Sequence, residues 1–65
     1  MPYSPGTTAD VKDNSNGRVW NAIVESNDGS TIVVLLLRFR NKLKFDANSL
    51  TTNKGRFELI RSHYR

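Results

Sequence analysis

Leu37-Arg38-Phe39-Arg40-Asn41-Lys42-Leu43-Lys44-Phe45 is the stretch that decides how this chain folds. Apolar residues hold its odd positions apart from Asn41, and basic residues hold its even ones. Side chains alternate between the two faces of a strand. The spacing therefore predicts a hairpin with Leu37, Phe39, Leu43 and Phe45 on one face and Arg38, Arg40, Lys42 and Lys44 on the other. In that register Phe39 faces Leu43, Leu37 faces Phe45 and Arg38 faces Lys44, leaving Arg40-Asn41-Lys42 as the loop. A two-residue loop at Arg40-Asn41 would set Phe39 against Lys42 and mix the faces. Like charges opposite one another destabilise a sheet, so four of them point to an anion outside the chain. The alternative is a set of cations guarding an exposed sheet edge.

Working outward, the same two-residue rhythm recurs between turn signals. Thr7 to Lys12 reads as a first strand and Asp13-Asn14-Ser15-Asn16-Gly17 as a turn ending in Asn-Gly. Arg18 to Ser26 is a second strand, rich in β-formers. Asp28-Gly29 marks a tight hairpin, and Thr31 to Phe39 is a third strand with a β-branched start. Lys42 to Asp46 is the fourth strand. Ala47 to Leu50 reads as one short helical turn, Thr51 to Gly55 as a polar loop, and Arg56 to Ile60 as the fifth strand. No segment is amphipathic at helical period. The expectation is an all-β fold, a small five-stranded barrel with one helical turn before its last strand. Residues 1–6 form an irregular lead-in, 7–60 the barrel and 61–65 a basic tail.

Composition narrows the function classes. With 65 residues the chain holds one domain. It has no cysteine, hence no disulfide framework and no thiolate metal site. Small secreted domains usually need such staples, so an intracellular, cytoplasmic setting is expected. The longest apolar run, Ile32 to Leu37, is too short to span a bilayer, and the N-terminus lacks a signal-peptide pattern. The chain reads as a complete small gene product. His63 stands alone, whereas a metal site needs about three or four ligands. No nucleophile–base pair, P-loop or dinucleotide fingerprint is present, so neither catalysis nor a cofactor is expected. Asp10, Asp13, Asp28 and Asp46 lie mostly at turns, where side-chain capping explains them.

Charge is unevenly spread. Residues 1–36 carry Lys12 and Arg18 against four carboxylates, a net −2. Residues 37–65 carry eight Lys or Arg against Asp46 and Glu58, a net +6. Such asymmetry favours a polyanionic partner.

The order of elements resembles the SH3-like barrel superfamily, in particular its Tudor and KOW-type modules. The resemblance covers Gly6 to Ile60. It rests on Pro5-Gly6 before the first strand, Trp20-x-Ala22-x-Val24 in the second, Asp28-Gly29 at the next turn, Phe45-Asp46-Ala47-Asn48-Ser49-Leu50 before the last strand, and Phe57-Glu58-Leu59-Ile60 within it. It implies a barrel whose surface strands and loops contact RNA, DNA or protein. The acidic, tyrosine-rich first segment of peptide-binding SH3 domains is missing, so polyproline binding is not implied. A KOW-type glycine motif does not align.

Three functional expectations follow. The first is a non-enzymatic module contacting nucleic-acid phosphates, DNA or RNA, with little sequence specificity. Arg38, Arg40, Lys42 and Lys44 supply the charge, and Arg56 and Arg61 extend it, with Lys54 and Arg65 beyond. Trp20, Tyr3 and Tyr64 are candidate stacking residues, Trp20 being core if it faces Ala22 and Val24, and Tyr3 and Tyr64 being equally suited to packing over a barrel mouth. The second is a protein-interaction or accessory module, of phage or plasmid type, docking on an acidic partner and able to form a homodimer through the strand at Ile32–Leu37, whose two faces are both apolar. A Tudor-like reader of methylated Lys or Arg is a third, weaker reading, since it needs further aromatics around Trp20.

Overall fold

A computed structural model describes the backbone of residues 3–63, and the side chains within that range other than those at 53 and 61–63. Six antiparallel strands form one sheet that curls into a small, nearly closed barrel: β1 (Thr8–Asp13), β2 (Arg18–Asn27), β3 (Thr31–Leu36), β4 (Asn41–Asp46), β5 (Thr51–Thr52) and β6 (Phe57–His63). Their order across the sheet is β4-β3-β2-β1-β6-β5. The all-β expectation holds, with a sixth strand of two residues lying in what the sequence shows as a polar loop.

Alternation fills the interior. Ala9 and Val11 of β1, Ala22 and Val24 of β2, Ile32, Val34 and Leu36 of β3, Phe45 of β4 and Leu59 of β6 are all buried. Ala9 lies directly opposite Ala22. Two small side chains facing each other leave room for the sheet to curl, while Phe45 opposite Ile32 fills the wider part. Bulges finish the bending. Glu25 of β2 has no partner between the Val24–Val34 and Ser26–Val33 pairs, and Ile60 of β6 is skipped in the same way against β1.

Four expectations need correction. The β3–β4 pivot is displaced: Leu36 faces Asn41, Leu35 faces Lys42, Val34 faces Leu43 and Ile32 faces Phe45. The loop is therefore Leu37-Arg38-Phe39-Arg40, closed by the Arg40 N–H donating to the Leu36 carbonyl at 2.8 Å. Leu37 and Phe39 are exposed loop residues, not core. The helical turn sits at Asn53–Gly55 rather than at Ala47–Leu50. There, the Asp46 carboxylate accepts the N–H groups of Asn48 and Ser49, making a side-chain-capped turn instead of a helix. Tyr3 is buried and joins the core at the end of the barrel that holds the β2–β3 turn, its carbonyl accepting from the Asn27 amide at 3.3 Å. Finally, the last strand runs from Phe57 to His63, three residues into the stretch expected as a basic tail.

A candidate binding site at one end of the barrel

Antiparallel pairing brings three connections to the same end of the barrel. Asp13 faces both Arg18 and Phe57, so the β1–β2 turn meets the segment that leads into β6. Ala22 faces Leu36, so the β3–β4 loop reaches back alongside Trp20 and Asn21. This end gathers Arg18, Arg38, Arg40, Lys54 and Arg56. The opposite end carries the Asp28 and Asp46 turns.

The loop builds a small aromatic and cationic cluster. Trp20 has the same facing as Ala22 and Val24 but lies beyond them at the mouth, half-buried and packed on the core. Phe39 meets its ring edge-on, with centroids 5.0 Å apart and planes at 73°. That geometry suits the quadrupoles of the two rings. The Arg38 guanidinium lies over the Trp20 ring, 5.6 Å from its centroid, in a cation–π contact. Beside them Val19, Trp20, Asn21, Leu37 and Arg38 line a shallow hollow of about 380 Å³. Val19, Leu37 and Phe39 are 49%, 43% and 54% exposed, an apolar rim that water contacts directly.

Backbone strain singles out Arg40. Three turns of this fold close with a hydrogen bond from residue i+4 to the carbonyl of residue i: Gly17 to Asp13, Arg40 to Leu36 and Leu50 to Asp46. Each closing residue is left-handed, at φ +74° for Gly17, +55° for Arg40 and +58° for Leu50. Glycine adopts this region freely, and other residues do so at a cost of about 1–2 kcal/mol. Leu50 recovers that cost by packing against the core. Arg40 is exposed, and no ion pair holds it among the described residues. Lys54, at φ +58° and also exposed, repeats the pattern at the same end.

The four cations of the opening segment are thus split. Lys42 and Lys44 lie on the outer face of β4, opposite Leu35 and Val33, and Arg38 and Arg40 lie in the loop. Arg38 does not face Lys44, so the like-charge crowding read from the sequence is relieved. Lys42 is paired with Glu25 at 2.9 Å. Arg56 is held by the buried Asp13 at 3.5 Å and stacks over Phe57 at 5.0 Å, so its charge is largely answered within the chain. The side chain of Arg61, like Tyr64 and Arg65, falls outside the described residues.

Asp13 anchors this end. Its carboxylate accepts the Ser15 hydroxyl at 2.7 Å and the Ser15 N–H at 2.9 Å. Those two bonds, and behind them Arg56, hold its pKa below the ordinary value near 3.8 against the opposing effect of burial. Among the described residues no three His, Asp or Glu converge as metal ligands, and no helix is long and apolar enough to cross a membrane.

Sequence reasoning missed Val19, Asn21 and Leu37 as surface-forming residues and placed Phe39 inside. No known protein family matches the chain, and no curated protein or solved structure matches it either.

Proposed function

We propose that the barrel is of the SH3-like type and serves as a non-enzymatic module that binds nucleic-acid phosphates with little sequence specificity, through the end formed by the β3–β4 loop. The barrel type is supported by β1 pairing with both β2 and the last strand, by the long bent β2, and by the short 3-10 turn before β6. The binding reading rests above all on Arg40, a solvent-exposed cation kept in a backbone conformation that favours glycine. Such a conformation at an exposed residue that no ion pair holds among the described residues is a mark of functional positions. Arg38 and Arg40 supply phosphate contacts at that end with planar bidentate geometry, Lys44 extends them along the outer face of β4, and Lys42 joins them when Glu25 lets go.

Anisotropy titrations with labelled single- and double-stranded oligonucleotides at low and near-physiological salt test this. Affinity should fall linearly on a log–log plot against salt, with a slope of about −0.7 to −0.9 per phosphate engaged. If Arg38→Glu combined with Lys44→Glu binds as the parent does, the reading is wrong.

A protein partner is the second reading, and the exposed Val19, Leu37 and Phe39 favour it. An acidic segment with apolar anchors would suit such a rim. A homodimer through the outer face of β3 has less support, because Val33 and Leu35 are half-buried and lie opposite Lys44 and Lys42. A Tudor-like cage has only the Trp20–Phe39 pair behind it.

A further inference from the structure

The hollow beside Trp20 combines three features that a phosphate-binding surface does not need. Its walls include the exposed aliphatic side chains of Val19 and Leu37. Trp20 and Arg38 line it too, with the guanidinium lying over the indole ring. And it opens beside Asn21, an exposed side chain with both hydrogen-bond donors and an acceptor. Apolar walls with an aromatic surface suit a flat, weakly polar group, and an amide can meet that group's edge. The cations on the adjoining loop require that whatever carries this group also carry negative charge. Within the nucleic-acid reading, a nucleobase attached to its phosphodiester backbone meets both conditions.

We infer that this hollow receives one unstacked nucleobase, so that the partner is single-stranded nucleic acid, with the base held between Leu37 and Val19 on one side and Trp20 and Arg38 on the other. The inference deepens the phosphate-binding reading and rests on it. In a duplex the bases are stacked and paired, and a shallow hollow cannot extract one without the cost of breaking those contacts. A single strand offers its bases freely, and stacking on an aromatic surface is sequence-tolerant because every base has a π-face.

Trp20 is the chain's only tryptophan, so its fluorescence reports on this hollow alone. The experiment titrates the intact protein with three ligands of equal phosphate number: a short oligothymidylate, the same strand with abasic sites throughout, and a duplex. The expected result is quenching of Trp20 by the oligothymidylate, with affinity at least about five-fold above that for the abasic strand. The duplex should bind more weakly and leave the fluorescence unchanged. Replacing the exposed Leu37 with serine should reduce the preference for the base-bearing strand and leave abasic binding as it was. Equal affinity for all three ligands without quenching would overturn the inference while leaving phosphate binding intact. Failure of every ligand to bind at low salt would overturn both, and binding of polyglutamate in its place would favour the protein partner.

Discussion

Phe39 and Phe45 stand at equivalent places in the alternating segment, yet one is 54% exposed and the other 1% exposed. Truncating each to alanine separates the two registers of the β3–β4 hairpin. Phe45 is the largest fully buried side chain and faces Ile32 in the core. Cutting a buried phenylalanine to alanine costs about 3–5 kcal/mol in lost transfer energy and cavity formation. A chain this short buries little of its surface, so its total stability lies toward the low end of about 0.05–0.15 kcal/mol per residue, roughly 3–5 kcal/mol. Phe45→Ala should therefore leave the protein unfolded or close to it. Phe39 meets Trp20 edge-on and keeps more than half of its surface in water. Its removal should cost about 0.5–1.5 kcal/mol, the range for such an aromatic pair. Urea denaturation followed by Trp20 fluorescence and by circular dichroism reads both. With a slope near 1 kcal/mol per molar urea for a domain this small, Phe39→Ala should lower the midpoint by about 0.5–1.5 M. Phe45→Ala should lack a native baseline. Equal losses of about 3 kcal/mol or more from both variants would mean that Phe39 is core after all, and the pivot at Leu37–Arg40 would be wrong.

Three further outcomes follow from the geometry. Arg40→Gly relieves a left-handed conformation but frees the unfolded chain by a similar amount. Its stability should stay within about 0.5 kcal/mol while the salt slope for oligonucleotides becomes shallower by about one. Leu50→Gly, at the matching place in the β4–β5 turn, loses half-buried packing and should cost about 1–3 kcal/mol in a thermal or urea melt. The carboxyls of Asp13 and Asp28 are held below their ordinary value near 3.8, Asp28 by the N–H groups of Thr31 and Ser30. Between the folded and unfolded values the unfolded chain binds more protons, so both stabilise the fold above pH 4 and that contribution disappears as pH falls through their folded values. Urea midpoints from pH 6 down to pH 2 should decline, and Asp13→Asn should flatten the decline.

Much of this fold is legible in the residues because its turns announce themselves. Asn16-Gly17 and Asp28-Gly29 close the first two hairpins where their chemistry predicts, and β1, β2 and the start of β3 fall within one residue of expectation. The third hairpin is ambiguous for a physical reason. Ile32 to Leu37 is apolar at every position, so its pattern does not tell which parity faces inward. The even residues do, and pairing them with Leu43 and Phe45 requires a loop with an even number of residues. That loop is closed by a left-handed arginine, a choice that residue preferences argue against. The candidate end was hidden for the same reason. Once the pivot moves to Leu37–Arg40, Phe39 comes onto Trp20 and the charges divide between loop and strand. Tyr3 was legible only as a pair of alternatives, stacking or packing over a barrel mouth, because nothing local tells which of them a residue of the lead-in takes.

The pairing of β1 with β6, where Thr8 meets His63, joins positions nearly the whole chain apart. The β2–β3–β4 meander can form from neighbours, because its turns are short and its partners are close in sequence. Closing the barrel cannot begin locally. Bringing such distant segments together carries the largest loop-closure entropy in the molecule, and proteins dominated by pairings of this kind fold in milliseconds to seconds. Val11 and Leu59 are buried at that junction, so a meander without it would leave one side of Val24, Val34 and Phe45 open to water. Folding and unfolding should therefore proceed as a single kinetic phase governed by the arrival of the last strand. A mutation in β6 would then act mostly on how fast the barrel opens, and one in the meander mostly on how fast it forms.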